Sequence, residues 1–197
     1  MVPGHNARLM QPICFALCVG IGVGLPSLSQ AEDNKQALIA TLIESGTHDF
    51  EDERHTVEVL DCTMTTYRWR NRPEHGWVLW SSFKFPMALG QIMETKGADG
   101  TPQPFASTNF GGERPPYNMV VISFEMPSDT PARFEKSTLR KRPEESWPSP
   151  RGDGTTHFYQ KAENVNIVHH GPGVVDKARQ FTSAFREYIE NHCIFTG

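Results

Sequence analysis

Cys62 and Cys193 constrain this chain more than any other feature. In an oxidising compartment they close a loop of about 130 residues and tie the first long strand-like run to the last helix-like one. The N-terminus says which compartment to expect. Arg8 is the only formally charged side chain among residues 1–31, and it precedes the apolar run Ile13–Leu25. At helical rise that run spans about 20 Å, short of the ~30 Å hydrocarbon core of a bilayer. Pro26 then breaks it, and Ser29-Gln30-Ala31 sets small residues at the −3 and −1 positions of a cleavage site. Residues 1–31 therefore read as a cleavable signal peptide, with cleavage after Ala31 and no integral membrane segment afterwards. Cys14 and Cys18 follow the bulky Ile13 and Leu17 inside the apolar run, a poor context for lipid attachment.

Cleavage leaves residues 32–197 as a single domain, with 18 Lys and Arg against 23 Asp and Glu, a charge of −5. That balance gives no bulk attraction to nucleic acid or anionic lipid. Cys62 and Cys193 are the two cysteines that remain, and an exported pair of this kind implies one disulfide. The chain-entropy model assigns such a bridge about 4–5 kcal/mol before any native strain is subtracted. The chain contains no Asn-x-Ser/Thr acceptor, which leans toward a bacterial periplasmic or secreted protein. A hydrophobic content of 38 % with 21 % charged residues excludes disorder, and four cysteines exclude a disulfide-dense scaffold.

Periodicity supplies the elements. Leu38, Ile39, Leu42 and Ile43 mark one face of a helix capped by Asp33 or Asn34 and ended by Gly46. An acidic stretch, His48 to Arg54, leads into a strand-like run from His55 to about Arg70. The turn Arg72–Gly76 separates it from the alternating Trp77–Phe85, so the two runs predict a hairpin. Asn118–Met126 is the clearest further strand; Ala132–Lys141, Thr155–Ala162 and Val165–His169 follow. Val174, Ala178, Phe181, Phe185, Tyr188, Ile189 and His192 form the stripe of a C-terminal helix that ends at Cys193. The order predicts an α+β fold: a curled antiparallel sheet of five to six strands, with both terminal helices on one face. Such a sheet can hold an apolar ligand between itself and the last helix. Gly97–Asn118 and Arg142–Gly154 read as long irregular loops carrying Phe105, Phe110, Tyr117 and Trp147.

Chemistry-bearing motifs are sparse. Cys-x-x-Cys, His-Glu-x-x-His, Gly-x-Ser-x-Gly and phosphate-loop patterns do not occur. Ser81-Ser82-Phe83-Lys84 matches Ser-x-x-Lys, but strand alternation sends Ser81 and Lys84 to opposite faces. His48, Asp49, Glu51, Asp52, Glu53 and His55 carry metal-ligand types, yet with no distant ligand to complete a set they read as a solvated loop; neither metal nor cofactor is expected. His169 and His170 adjoin Gly171-Pro172-Gly173, which reads as a helix-start turn, and Arg151-Gly152-Asp153 reads as a turn too. Arg68 and Arg70 share a strand face, and Arg140-Lys141-Arg142 forms a second basic group. The functional expectation is an exported domain that binds a small apolar ligand or an envelope protein as an accessory factor. Its binding candidates are Arg68, Arg70, Phe105, Phe110, Tyr117 and Trp147. The alternative is a hydrolase-like enzyme using His157, His169 or His170 with a carboxylate.

Overall fold

The computed structural model describes residues 28–97, 99–110, 117–138, 147–148 and 156–193. The apolar run 13–25, the basic group 140–142 and the tripeptide 151–153 lie outside them. Helix α1 (Leu28–Gly46) runs through the expected cleavage site. Four longer or hairpin strands follow: β1 (His48–Phe50), β2 (Glu53–Leu60), β3 (Thr63–Arg72) and β4 (Gly76–Pro86). Short strands come next: β5 (Gln91–Ile92), β6 (Thr95–Lys96), β7 (Pro102–Gln103) and β8 (Ala106–Phe110). The chain continues through β9 (Tyr117–Glu125), β10 (Ala132–Thr138), β11 (Trp147–Pro148), β12 (Thr156–Ala162) and β13 (Asn164–Gly171) to α2 (Val174–His192). This is an α+β fold of antiparallel strands with a helix at each end.

The strands divide between two main sheets, where alternation alone suggested one. The first has the order β1-β2-β3-β4-β10-β12-β11; the second has β13-β9-β5, with β8 also paired to β9. Two further differences have local causes. The run His55–Arg70 is two strands, because Asp61 and Cys62 turn the chain between Leu60 and Thr63. Asp61 takes φ +50°, which Asp tolerates, and the β-branched residues around it hide the turn from a propensity reading. The stretch Gly97–Asn118 is not structureless, since it carries β7 and β8. Ala106-Ser107-Thr108-Asn109 offers no apolar alternation, so β8 left no period-two signal.

One core joins the layers. α1 packs on α2 and β2, while α2 packs on β9 and β13. Phe124 of β9 lies 5.3 Å from Phe85 and 4.9 Å from Phe185 by ring centroids, and Phe85, Phe124, Phe181 and Phe185 are all buried. These rings pack directly on one another in the space where an apolar ligand was expected between sheet and helix. Gly173 precedes α2 with φ +71°, a conformation that glycine adopts without strain. At the other end Cys193 is disulfide-bonded to Cys62 with Cα atoms 5.5 Å apart. Tyr188 Oη donates to the Asp61 carbonyl at 2.8 Å, so α2 is fastened twice to the β2–β3 turn.

Candidate functional site

The inner face of the first sheet changes character along its strands. Alternation puts Glu53, His55, Val57 and Val59 of β2 on one face. Antiparallel register sets them against Arg70, Arg68, Thr66 and Met64 of β3. Phe85, Phe83 and Ser81 of β4 continue the rows from Met64, Thr66 and Arg68. The rows nearest the helices are apolar and buried; the rows beyond them are charged and partly open. Between Arg68 and Trp69 the β3–β4 register shifts, leaving Trp80 as an extra residue on β4. Such a bulge re-aims a side chain. Here it brings Trp80 under two guanidiniums, Arg70 at 4.7 Å and Arg72 at 5.3 Å from the ring centroid.

A pocket of about 300 Å³ lies between this face and β13. Val57, Phe83 and Ile167 supply apolar lining, and His55, Arg68, Ser81 and Asn166 supply polar groups. Val57 and Ile167 belong to the core, whereas the Arg68 side chain is 35 % exposed. The apolar lining is therefore the floor and the charged residues the rim. A second concavity of about 180 Å³ adjoins it, bounded by His48, Phe50, Glu53, His55 and His170; His55 lines both.

Glu53 organises the rim. It accepts from Arg68 Nη2 at 2.6 and 2.7 Å, from Arg68 Nε at 3.1 Å and from Arg70 Nη2 at 2.9 Å. The His55 ring and the Arg68 guanidinium hold its carboxyl far below the usual carboxylate range, against the opposing effect of burial. His55 approaches no closer than 3.8 Å, beyond hydrogen-bond distance, so the shorter arginine contacts carry the geometry. Arg70 Nε is buried without a hydrogen-bond partner among the described residues. Asp49 pairs with Arg54 on the outer side at 2.7 Å and does not reach this network.

Histidines gather beside the rim. The His169 ring lies 5.4 Å from that of His48 and 6.2 Å from that of His55. His169 is 1 % exposed, and its Nε2 donates to the Gly46 carbonyl at 3.1 Å, which ties β13 to the end of α1. Burial lowers its pKa to about 3, so the ring is neutral at ordinary pH. Burial also lowers His48 and His170. Lys177 Nζ donates to the Thr47 carbonyl at 3.0 Å and closes the same junction. Among the described residues no group of three or more His, Cys, Asp or Glu is placed to hold a metal ion.

The sequence candidates separate. Arg68 and Arg70 come together on Glu53 at the rim. Phe105 is 2 % exposed and belongs to the core. Phe110 pairs with Tyr117 in the β8–β9 ladder, and Trp147 with His157 in β11–β12. His157 lies on β12 of the first sheet, and His169 and His170 on β13 of the second. Ser81 is buried and Lys84 exposed, on opposite faces. His48, Glu53 and His55, which read from the sequence as part of a solvated acidic loop, belong to the site, and so does Trp80, to which the sequence assigns no role. No described helix is long and apolar enough to cross a membrane. No protein-family model, no curated protein and no solved structure matches the chain.

Proposed function

We propose that this chain is an exported accessory protein that binds a small molecule in the pocket between β13 and the inner face of β2–β4. The observation that carries the reading is the form of that pocket. It is a concavity of about 300 Å³ with a floor of core side chains and a rim of few, fixed polar groups, at the lower end of the size range of small-molecule sites. Its walls are held by ladder pairing and by the Glu53 network, so it exists before a ligand arrives. The Cys62–Cys193 bond and the short apolar run before Pro26 support export, to a bacterial periplasm or beyond.

Native mass spectrometry of protein released gently from the periplasm tests this. Asn166 is exposed on β13 and lines the pocket, so Asn166→Trp blocks the mouth without entering the core. A bound mass on the wild type that Asn166→Trp lacks is the expected result. Bare protein in both, with no fragment-library compound shifting NMR signals of the pocket residues, refutes the reading.

A further inference from the structure

We propose that the pocket takes a small amphipathic organic acid, its anionic head group on the Arg68 guanidinium at the rim and its apolar body on Val57, Phe83 and Ile167 at the floor. This rests on the binding reading above and names the chemistry of its ligand.

Three features point the same way. The first is the polarity gradient. Val57 and Ile167 are 6 % and 3 % exposed and form the floor. Arg68 and His55 stand at the opening, with side chains 35 % and 12 % exposed. A ligand that buries apolar surface and keeps one charged end near solvent satisfies both zones; a uniformly polar ligand leaves the floor unfilled.

The second is the state of the arginine. Glu53 occupies Nε and Nη2 of Arg68, and Nη1 has no hydrogen-bond partner among the described residues. The carboxylate thus fixes the guanidinium plane while leaving a donor edge for a second acceptor. A planar donor fork held in place is what carboxylate and phosphate recognition requires.

The third is charge. Arg68 and Arg70 share one carboxylate, Glu53, and Arg72 lies over Trp80 beside Arg70, so this group of side chains keeps a net positive charge. Glu51 and Asp52, exposed on the β1–β2 turn, line the second concavity and not this pocket, and water screens them there. Trp80, flanked by Arg70 and Arg72, adds an aromatic wall to the pocket. Ser81, Thr66 and Asn166 line it as hydrogen-bonding groups without charge of their own.

Carboxylates and phosphate monoesters share this chemistry, and calorimetry with benzoate, hexanoate, hexyl phosphate and hexan-1-ol separates them. The acids are expected to bind at least about tenfold more tightly than hexan-1-ol, and to weaken as salt rises. The preferred acid identifies the head group. Arg68→Gln is expected to lose about tenfold or more for the acids and nothing for the alcohol. Arg68→Lys keeps the charge without the fork and covers the case in which Arg68→Gln fails to fold. Equal binding of acids and alcohol, or unchanged acid binding in both Arg68 variants, overturns the anionic head-group assignment and leaves the pocket reading standing. Binding of every probe that survives Asn166→Trp overturns the pocket reading itself.

Discussion

Glu53→Gln tests the rim most directly. The change keeps the shape of the side chain but leaves two guanidiniums facing an amide, one end of which is itself a donor. Removing one member of a fully buried ion pair costs about 3–5 kcal/mol, and a solvent-exposed pair is worth about 0.2–1 kcal/mol. Here Glu53 is 18 % exposed, while Arg68 and Arg70 are 35 % and 30 % exposed, so the site lies between those limits. A loss of about 2 kcal/mol follows, equivalent to about 4–8 °C in Tm for a domain of this size. The pH dependence gives a sharper signature. The folded carboxyl titrates below its ordinary value, so its contribution is complete above about pH 4.5 and fades as pH falls through the folded value. Urea unfolding of wild type and variant at pH 7, 5 and 3 reads this as a gap that is constant between the first two and smaller at the third. A gap under about 0.5 kcal/mol at pH 7 would place the network among inert surface pairs and refute the argument. So would a gap that ignores pH throughout.

Other consequences can be measured on the same protein. Replacing both Cys62 and Cys193 by Ser opens a loop spanning 131 residues. Denaturant unfolding should show a loss of up to about 5 kcal/mol, and a loss below about 1 kcal/mol contradicts a formed bond. His169 binds a proton in the unfolded chain near its ordinary pKa of 6.5 but folded only near about 3. Stability therefore falls as pH drops from about 6.5, by about 1.4 kcal/mol per pH unit, and His169→Gln should flatten that slope. Gly46→Ala sets a new Cβ 2.5 Å from Val57 Cγ2 and 2.9 Å from Phe181 Cε2, so thermal melts should record about 1–3 kcal/mol of destabilisation. An unchanged melt would mean that α1, β2 and α2 are not packed as described.

Periodicity made the α+β class, both helices and the longest strands legible, because each buries one clean face against the shared core. Cys62 and Cys193 were legible for a different reason, since an exported chain leaves few alternatives for two cysteines. The rim was not. Arg68 and Arg70 are two apart, as are Glu53 and His55, and that spacing places each pair on one strand face. Their meeting depends on the turn at Asp61 and Cys62, where neither Gly nor Pro announces a reversal. Once that turn is missed, Glu53 falls into an acidic loop and its partners into a solvated face. Trp80 was hidden by the bulge, since strict alternation assigns it to the face opposite Ser81. His48 and His169 are 121 positions apart by their numbering, and only the neighbouring of β1 and β13 brings them together.

The bond between Cys62 and Cys193 also divides the molecule mechanically. It seals β3 through α2 into a covalent ring, and α1, β1 and β2 hang outside it as a strap. Stretched between its two ends, the oxidised molecule can release the strap but cannot lengthen through the ring. Reduction frees 131 residues of hidden chain, about 460 Å at about 3.5 Å per residue. The histidine junction sits where the strap crosses the ring, joining Gly46 and His48 to β13. Releasing the strap also requires α1 to part from α2 and β2 from β3.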